Sequence, residues 1–480
     1  MQSIFWHDYE TFGADTRRDR PSQFAGVRTD LDLNIIEEPT TFYCRPSEDA
    51  LPSPEACLIT GITPQYAQEN GFSEVEFAKK VEEIFSVPST CVAGYNSIRF
   101  DDEITRNLFY RNFIDPYERE WKNGNSRWDL IDVVRLTYAL RPEGINWPCD
   151  DSGTPSFRLE VLSQANGIEH LSAHDAMSDV YATIGLAKLI KSAQPQLFDY
   201  VFKNRDKHKV LELLEPNKLK PVFHVSSKFP ASKGCCALIV PLFQDSKNKN
   251  SFICFDLRQD PAYLFALSNE QIQRRLYMPS AQLSEGEERP AIKAIHVNKC
   301  PMVVPAAMIK TMSAERLERW ELNLDLMRSH LEWIRNNPIF VEKIKEVFSL
   351  SSPERNETDP DLMIYSGGFF STHDKAEMSR VRQASDIELE EEEFRFQDSR
   401  LPELLFRYKA RNFPQTLTEE EQSKWERYCA NKLMSADGGY LTFKEFFDRI
   451  HAISQSDIDS KSQSVLEDLR FYGESIIPYA

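Results

Sequence analysis

The stretch at residues 4–13 constrains the fold most, because it is typical of a short buried β-strand that also carries two acids. Side chains alternate along a strand, so Asp8 and Glu10 share one face. The other face takes Phe5, His7 and Tyr9. Two carboxylates side by side on a buried strand repel each other, so one binds a proton or a cation lies between them. The alternative is an edge strand on which both acids face water, and this stretch alone is compatible with either structure.

Length, charge and cysteine content are those of a globular protein from a reducing compartment. The 480 residues predict about three domains. The nine cysteines are scattered without a paired CxxC spacing, which indicates free thiols in the cytoplasm. No apolar run approaches the ~20 residues that span a bilayer, and the N-terminus enters a strand without a signal segment, so we expect no membrane contact. The net charge of −18 argues against non-specific coating by nucleic acid but allows a local basic groove.

Periodicity and turn residues predict three successive regions. Residues 1–45 contain three short strands without intervening helices, which favours an antiparallel meander, and a buried strand at 91–96 leads into a helix near Asp101. After a boundary near 192–196, short apolar runs between 218 and 301 predict a small, mostly β, barrel-like unit, and residues 314–347 follow as a helical stretch. A second boundary near 350–353 precedes a helical C-terminal region.

Four acids and one histidine lie in local contexts that suit metal-dependent hydrolysis. Asp8 and Glu10 are on the first strand, and Asp101 is at a strand-to-helix junction. Asp179 is on a later helix, five residues after His174. Five helical steps of about 100° separate two side chains by roughly 140°, so His174 faces the same site only if it precedes the regular helix. Clustered carboxylates can hold two Mg²⁺ ions about 3.5–4 Å apart, and a histidine with a pKa near roughly 6.5 can accept a proton from water.

Aromatic and basic residues alternate between residues 117 and 148. This pattern suits single-stranded nucleic acid, because bases stack on rings and phosphates require cations. The alternative is a helical surface over a packed aromatic core, and the pattern itself does not distinguish the two. The residues are Tyr117, Trp121, Arg127, Trp128, Arg135, Arg141 and Trp147.

Three motifs carry a family resemblance. Residues 8–11, 95–101 and 174–179 resemble the motifs of the DEDD exonuclease superfamily, in its histidine-bearing branch. The resemblance to the bacterial exonuclease I family covers nearly the whole chain, through segments at 60–64, 125–130, 139–148, 298–301 and 411–414. It implies an α/β fold with three domains, which are a ribonuclease H-like exonuclease domain at 1–190, an SH3-like β-barrel domain at 195–350 and a helical C-terminal domain at 353–480.

The resemblance also implies an activity and a catalytic set. The expected enzyme is a Mg²⁺-dependent 3′→5′ exonuclease of DNA repair and recombination, which degrades single-stranded DNA processively to 5′-mononucleotides. It would use two metal ions per site, for which Mn²⁺ can substitute. Asp8, Glu10 and Asp179 would hold the ions, Asp101 would complete the site, and His174 would be the general base.

Further roles follow from the same resemblance. The expected protein is a cytoplasmic monomer that is recruited by the acidic C-terminal tail of single-stranded DNA-binding protein, with Arg141 and Tyr200 as receptors for that tail. The loop at 365–371 departs from the family pattern by one additional glycine. The residues expected to contact DNA are Glu10, Arg158, Arg106, Tyr117, Trp121, Arg135, Tyr365 and Phe370.

Two other functions are compatible with parts of the sequence. An exoribonuclease of the same superfamily would share the catalytic set, but oligoribonucleases are single-domain chains, and the roughly 290 further residues here argue against that function. A non-catalytic DNA-binding scaffold is disfavoured because all five catalytic positions hold competent residues. The chain has no HExxH, GxSxG or Walker phosphate loop, so the sequence does not support other hydrolase chemistry.

Overall fold

The structure is a computed structural model that describes residues 2–170, 174–350, 357–435 and 438–477. The strands of the first sheet are β1 Ser3–Thr11, β2 Pro21–Thr29, β3 Thr40–Cys44, β4 Gly71–Phe72, β5 Thr90–Gly94 and β6 Ser126–Asp129. The strands of the second sheet are β7 Val222–Val225, β8 Cys236–Gln244, β9 Ser251–Asp256, β10 Ile292–His296 and β11 Met302–Pro305.

Helices account for much of the rest of the described chain. Up to residue 213 they are α1 Pro54–Thr60, α2 Pro64–Asn70, α3 Glu74–Phe85, α4 Asp101–Arg111, α5 Leu130–Leu140, α6 Leu159–Ala165, α7 Ala176–Ala193, α8 Pro195–Lys203 and α9 Lys207–Leu213. Beyond it they are α10 Pro261–Ala266, α11 Asn269–Tyr277, α12 Ala314–Arg319, α13 Leu324–Asn336, α14 Pro338–Ser349, α15 Thr372–Gln383, α16 Asp386–Glu391, α17 Leu401–Asn412, α18 Glu419–Met434, α19 Phe443–Ser454 and α20 Ser460–Ile476. In the described part of the chain, none of these helices has both the length and the apolar character needed to cross a membrane.

The first sheet has the strand order β4-β3-β2-β1-β5-β6. β1, β2 and β3 pair antiparallel, which confirms the predicted meander, while β5 pairs parallel to β1. β1 is therefore a central strand, and the edge-strand alternative is wrong. On β1, Asp8 lies opposite Ala25 and Glu10 lies opposite Gln23, and the register with β2 shifts directly after Glu10.

The two faces of β1 separate the core from the acids, as the alternation predicts. Phe5 and Tyr9 pack into an aromatic core with Phe24, Phe77 and Phe85, contributed by β2 and α3. Burial of these aromatic rings removes a large apolar area from water and so stabilises the packing of α3 on this face of the sheet. The opposite face carries Asp8 and Glu10, both at positions where β1 pairs with β2.

The second sheet confirms the predicted β unit of residues 218–301. Its five strands have the order β10-β9-β8-β7-β11, and all neighbours are antiparallel. The helical stretch expected at 314–347 is interrupted twice, into α12, α13 and α14. The first break contains Glu321 with a φ of 56° and the cap Asn323, and the second precedes Pro338, which lacks the backbone N–H that a continuing helix needs.

The described chain divides into two compact units. One contains the described residues within 1–127, 170–184 and 356–480, and the other contains those within 128–169 and 185–355. The C-terminal region is helical from α15 to α20, as predicted. The predicted boundary near 350–353 falls partly outside the described residues, because the description ends at residue 350 and resumes at 357.

Candidate active site

Strand β1 contributes two carboxylates to the site. Asp8 and Glu10 lie two residues apart on the face opposite the aromatic core, and Glu10 is 8% exposed while Asp8 is half-buried. β1 pairs with β2 at both acids and with β5 at residues 3–6, so the sheet holds the two carboxylates at a fixed spacing. The strand therefore supplies two acids at a defined spacing to the site.

The start of helix α4 contributes the third acid. Asp101 is 2% exposed, and its Oδ1 accepts a hydrogen bond of 3.0 Å from the backbone N–H of Tyr9. The path from β5 to α4 requires a glycine at its beginning, because a Cβ at Gly94 would lie 2.8 Å from the His7 carbonyl oxygen. Asn96 follows with a φ of 62°, a left-handed conformation that asparagine tolerates. Asp101 therefore lies at the predicted strand-to-helix junction and is tied directly to β1.

The beginning of helix α7 contributes Asp179 and His174. His174 precedes the helix, has a φ of 65° and is exposed, so it satisfies the condition set by the five-residue spacing. One ligand atom from each of Glu10, His174 and Asp179 lies within 4.8 Å of the others. Residues from β1 and α7, more than 160 positions apart in the chain, thus converge on one place.

Burial and mutual repulsion dominate the electrostatics of the carboxylates. Burial, followed by the charges of Asp101, Glu10 and Asp179, raises the pKa of Asp8 well above its usual range. Burial and the charges of Asp179 and Asp101 raise the pKa of Glu10 to about 9. Each carboxyl therefore disfavours ionisation of its neighbours, and a divalent cation would relieve this repulsion.

The donor set fits a divalent metal ion. The carboxylate oxygens of Asp8, Glu10 and Asp179 are the ligands that Mg²⁺ and Mn²⁺ prefer, and the imidazole of His174 lies at the same place. We infer the fit from this chemistry and from the raised pKa values of the three carboxyls.

Sequence reasoning missed one residue at this site, His170. Its Nε2 forms a hydrogen bond with Oδ1 of Asp179. Burial raises the pKa of Asp179, and the hydrogen bond from His170 opposes that effect. The spacing of nine residues carries no signal, because His170 lies in the connection between α6 and α7, where helical periodicity does not apply.

Three of the expected DNA-contacting residues form one cluster in the same unit. Arg106 is 3% exposed, because its guanidinium pairs with Glu103 at 2.9 Å and with Glu120 at 2.8 Å. It also donates to the hydroxyl of Tyr365 at 3.2 Å and lies 5.5 Å from the centre of the Tyr117 ring. In this structure Arg106 supports two tyrosines, and direct contact between Arg106 and DNA stays a prediction.

The aromatic residues of the loop at 365–371 differ in accessibility. Phe370 is half-buried, stacks 6.0 Å from the Tyr110 ring and lies below the guanidinium of Arg400. Phe369, which was not among the expected contacts, is 85% exposed and packs edge-on against Tyr117. Adjacent phenylalanines are indistinguishable by local sequence, so only their packing shows which one faces solvent. Trp121, also expected to contact DNA, is 64% exposed.

The remaining expected residues belong to the second compact unit. Arg135 is buried and pairs with Asp132 at 2.6 Å, whereas the Arg158 side chain is 72% exposed and pairs with Glu160. Arg141 donates to the carbonyl of Leu140 and to the hydroxyl of Thr311, and Tyr200 is half-buried. These contacts are all within the protein, so the expected DNA-binding and partner-binding roles stay predictions.

Comparison with known families covers most of the chain. A model described as "Exonuclease" matches residues 5–187, one for an exonuclease I SH3-like domain matches 205–350, and one for an exonuclease I C-terminal domain matches 358–476. A curated relative, exodeoxyribonuclease I of Haemophilus influenzae, is 45% identical over 476 residues, which are 99% of each chain.

Solved structures share the whole architecture. A moderately thermophilic exonuclease I from Methylocaldum szegediense has a TM-score of 0.94 and 49% sequence identity, over 99% of this chain and 100% of that one. The zinc-bound form of a complex between Escherichia coli exonuclease I and single-stranded DNA has a TM-score of 0.93 and 42% identity, with the same coverage.

Proposed function

The chain belongs to the bacterial exonuclease I family and is an exodeoxyribonuclease, and we propose that it removes mononucleotides from the 3′ end of single-stranded DNA by two-metal-ion hydrolysis. The observation that carries this proposal is the convergence of Glu10, His174 and Asp179 from distant segments, with Asp8 and Asp101 beside them. A solved structure of the same architecture is a complex of Escherichia coli exonuclease I with single-stranded DNA, which supports single-stranded DNA as the substrate.

The exonuclease domain depends on divalent metal ions. We infer that Asp8, Glu10 and Asp179 hold two Mg²⁺ ions, for which Mn²⁺ can substitute. When bound, such ions lower the pKa of the attacking water and stabilise the leaving oxygen of the phosphodiester. The raised pKa values of Asp8 and Glu10 support this assignment, because burial and neighbouring carboxyls cause them and a bound cation would offset both effects.

The protein's own groups have separate tasks in this mechanism. His174 is exposed beside Glu10 and Asp179, so its imidazole can accept a proton from water and release it to solvent. Asp101 accepts a hydrogen bond from the backbone N–H of Tyr9, and this bond holds the start of α4 against β1 at the site. The exposed rings of Trp121, Tyr365 and Phe369 offer stacking surfaces for bases of the incoming strand.

Further proposals concern a protein partner, the compartment and the domain boundaries. We propose that the acidic tail of single-stranded DNA-binding protein docks at Arg141 and Tyr200, because the Arg141 guanidinium is opposite in charge to the tail and the Tyr200 ring is partly accessible. We further propose that the protein is a monomer with a role in DNA repair, in a reducing, cytoplasmic compartment that its nine free thiols support. We also propose domains at 1–190, 195–350 and 353–480, supported by the ranges of the three family models.

End-labelled oligonucleotides test the proposed function. Single-stranded DNA, duplex DNA and single-stranded RNA, each labelled at the 5′ end, are incubated with Mg²⁺ or with a chelator. The expected result is stepwise shortening of single-stranded DNA from its 3′ end, with Mg²⁺ only. His174→Ala should lower turnover strongly and alter the pH–rate profile. Faster shortening of RNA would show the exoribonuclease alternative, and activity in chelator would overturn the metal mechanism.

A further inference from the structure

A second histidine contacts the carboxylate set of the site. His170 Nε2 is hydrogen-bonded to Oδ1 of Asp179, and the two side chains are only 7% and 17% exposed. His170 lies in the connection ahead of α7, whereas Asp179 belongs to α7, and both are in the segment 170–184 of the first unit. No catalytic task described above uses His170.

The contact with His170 engages one oxygen of the Asp179 carboxylate, Oδ1. An ionised carboxylate only accepts hydrogen bonds, so His170 donates from Nε2. Asp179 also accepts a hydrogen bond from the backbone N–H of His174. A carboxylate offers about four lone-pair positions, so these two donors can orient Asp179 without occupying all of them.

The two histidines beside Asp179 have opposite surroundings. His174 is exposed and precedes the helix with a positive φ, which suits exchange of protons with water. The His170 side chain is nearly buried and is engaged by Asp179, which suits the fixing of an orientation. Their burial and contacts therefore predict different tasks for them.

We propose that His170 is a positioning residue, which holds Oδ1 of Asp179 so that the carboxylate keeps one orientation toward a divalent ion. This inference rests on the proposed metal site. Hydrogen-bond partners of ligating groups typically contribute 10–100-fold to metal affinity, because a ligand that is already oriented loses less freedom on binding.

Metal binding without DNA tests the proposal separately from catalysis. Isothermal titration calorimetry with Mn²⁺ alone is compared for the wild-type chain, His170→Ala and His170→Gln. We expect about 10–100-fold weaker binding for His170→Ala. His170→Gln should recover most of the affinity, since its amide N–H can donate to Asp179. Shortening of DNA by His170→Ala should approach the wild-type rate at saturating Mn²⁺.

Controls separate this inference from the proposed function. Asp179→Ala is the reference for a damaged site, and His451→Ala, which removes an exposed histidine on α19, should bind Mn²⁺ as the wild type does. If His170→Ala does not fold, His170→Phe repeats the test with a ring that has no donor. If His170→Ala or His170→Phe binds Mn²⁺ with wild-type affinity, the positioning role of His170 is overturned while the metal site stands. The same holds if His170→Gln binds Mn²⁺ as weakly as His170→Ala does. Absence of Mn²⁺ binding in the wild type overturns the proposed metal site as well.

Discussion

Asp179 is a residue at which several interactions of the site meet. It lies within ligand distance of Glu10 and His174, accepts a hydrogen bond from His170, and raises the pKa values of Asp8 and Glu10 through its charge. A carboxylate in this position serves the site through its negative charge and its oxygen atoms. Its loss should affect chemistry far more than folding, because burial of this carboxyl already disfavours its charged form.

Asp179→Ala should abolish nucleotide release, with a fall in turnover on the order of 10⁴-fold, because a member of the proposed catalytic set is removed. Affinity for single-stranded DNA should stay measurable, since the exposed aromatic residues are unchanged. Release of labelled nucleotides and fluorescence anisotropy with an oligonucleotide measure the two quantities. Asp199→Ala, which removes an exposed acid on α8, is the control. Undiminished turnover in Asp179→Ala would exclude Asp179 from the site.

Among the elements, the loop at 365–371 assigns different environments to two neighbouring phenylalanines. Phe370 is packed between Tyr110 and Arg400, whereas Phe369 is 85% exposed against Tyr117. Gly367 and Gly368 precede them with φ values of 84° and 77°, a left-handed conformation that favours glycine. The two glycines therefore allow the turn that places one ring outside and the other inside.

Phe369→Ala should weaken binding of single-stranded DNA by about 1–3 kcal/mol, the typical contribution of one stacked base. The free energy of unfolding should stay the same, because an exposed ring contributes little to the core. Phe370→Ala is the matched comparison and should lower the free energy of unfolding, because it removes packing against Tyr110. Anisotropy titrations and urea denaturation measure the two effects. The reverse pattern would mean that Phe370, as the sequence predicted, is the DNA contact.

Helix α3 begins with an acid whose charge is stabilised by its neighbours. Burial alone would raise the pKa of Glu74, but the guanidinium groups of Arg111 and Arg20 outweigh burial and lower it to about 2. The Arg111 Nε lies 3.2 Å from Glu74 Oε1. Because the pKa of Glu74 is lower in the folded protein than in the unfolded chain, this pairing stabilises the folded protein at any pH at which Glu74 is ionised.

The stabilisation from Glu74 should be complete above pH 4.5, its ordinary pKa, and should disappear as the pH falls toward 2. The shift corresponds to about 3 kcal/mol. Urea denaturation at several pH values should therefore show Glu74→Gln less stable than the wild type near pH 6, with the difference shrinking between pH 4.5 and 2. Glu83→Gln, an exposed acid on the same helix, is the control. A difference that is independent of pH would contradict the ionic origin.

At the scale of the whole unit, a buried ionic cluster joins the N-terminal segments to the C-terminal helices. Asp49 is fully buried, and its Oδ2 lies 2.8 Å from Arg411 of α17 and 2.7 Å from Lys432 of α18. Burial alone would raise the pKa of Asp49, but Arg411, Lys432 and Arg20 hold it well below its usual range. The nuclease segment and the C-terminal helices therefore depend on each other for charge compensation.

Asp49→Asn should lower the free energy of unfolding by about 3–5 kcal/mol, because it leaves three buried cations, Arg411, Lys432 and Arg20, without their shared carboxylate. Asp448→Asn is the control, since Asp448 pairs with Lys444 on the surface and such pairs contribute about 0–1 kcal/mol. Urea denaturation of both variants at neutral pH measures the difference. Equal stability of the two variants would show that other groups compensate Arg411 and Lys432.

Local features of the sequence were enough to predict much of this protein. Period-two alternation placed Asp8 and Glu10 on one face of β1, and the meander followed from turn residues. Asp101 at a strand end and His174 ahead of a helix follow from local boundaries that the chain itself encodes. These properties depend on a few neighbouring residues, so the sequence determined them without reference to the rest of the molecule.

Other properties depended on groups that are distant in the chain, and only the tertiary structure decided them. The hydrogen bond of His170 to Asp179, the burial of Arg106 between Glu103 and Glu120, and the exposure of Phe369 arise from packing. The raised pKa values of Asp8 and Glu10 likewise require both burial and the approach of Asp101 and Asp179. The pKa of a group depends on its burial and on the charges around it, and only folding buries these carboxyls and brings their charges together.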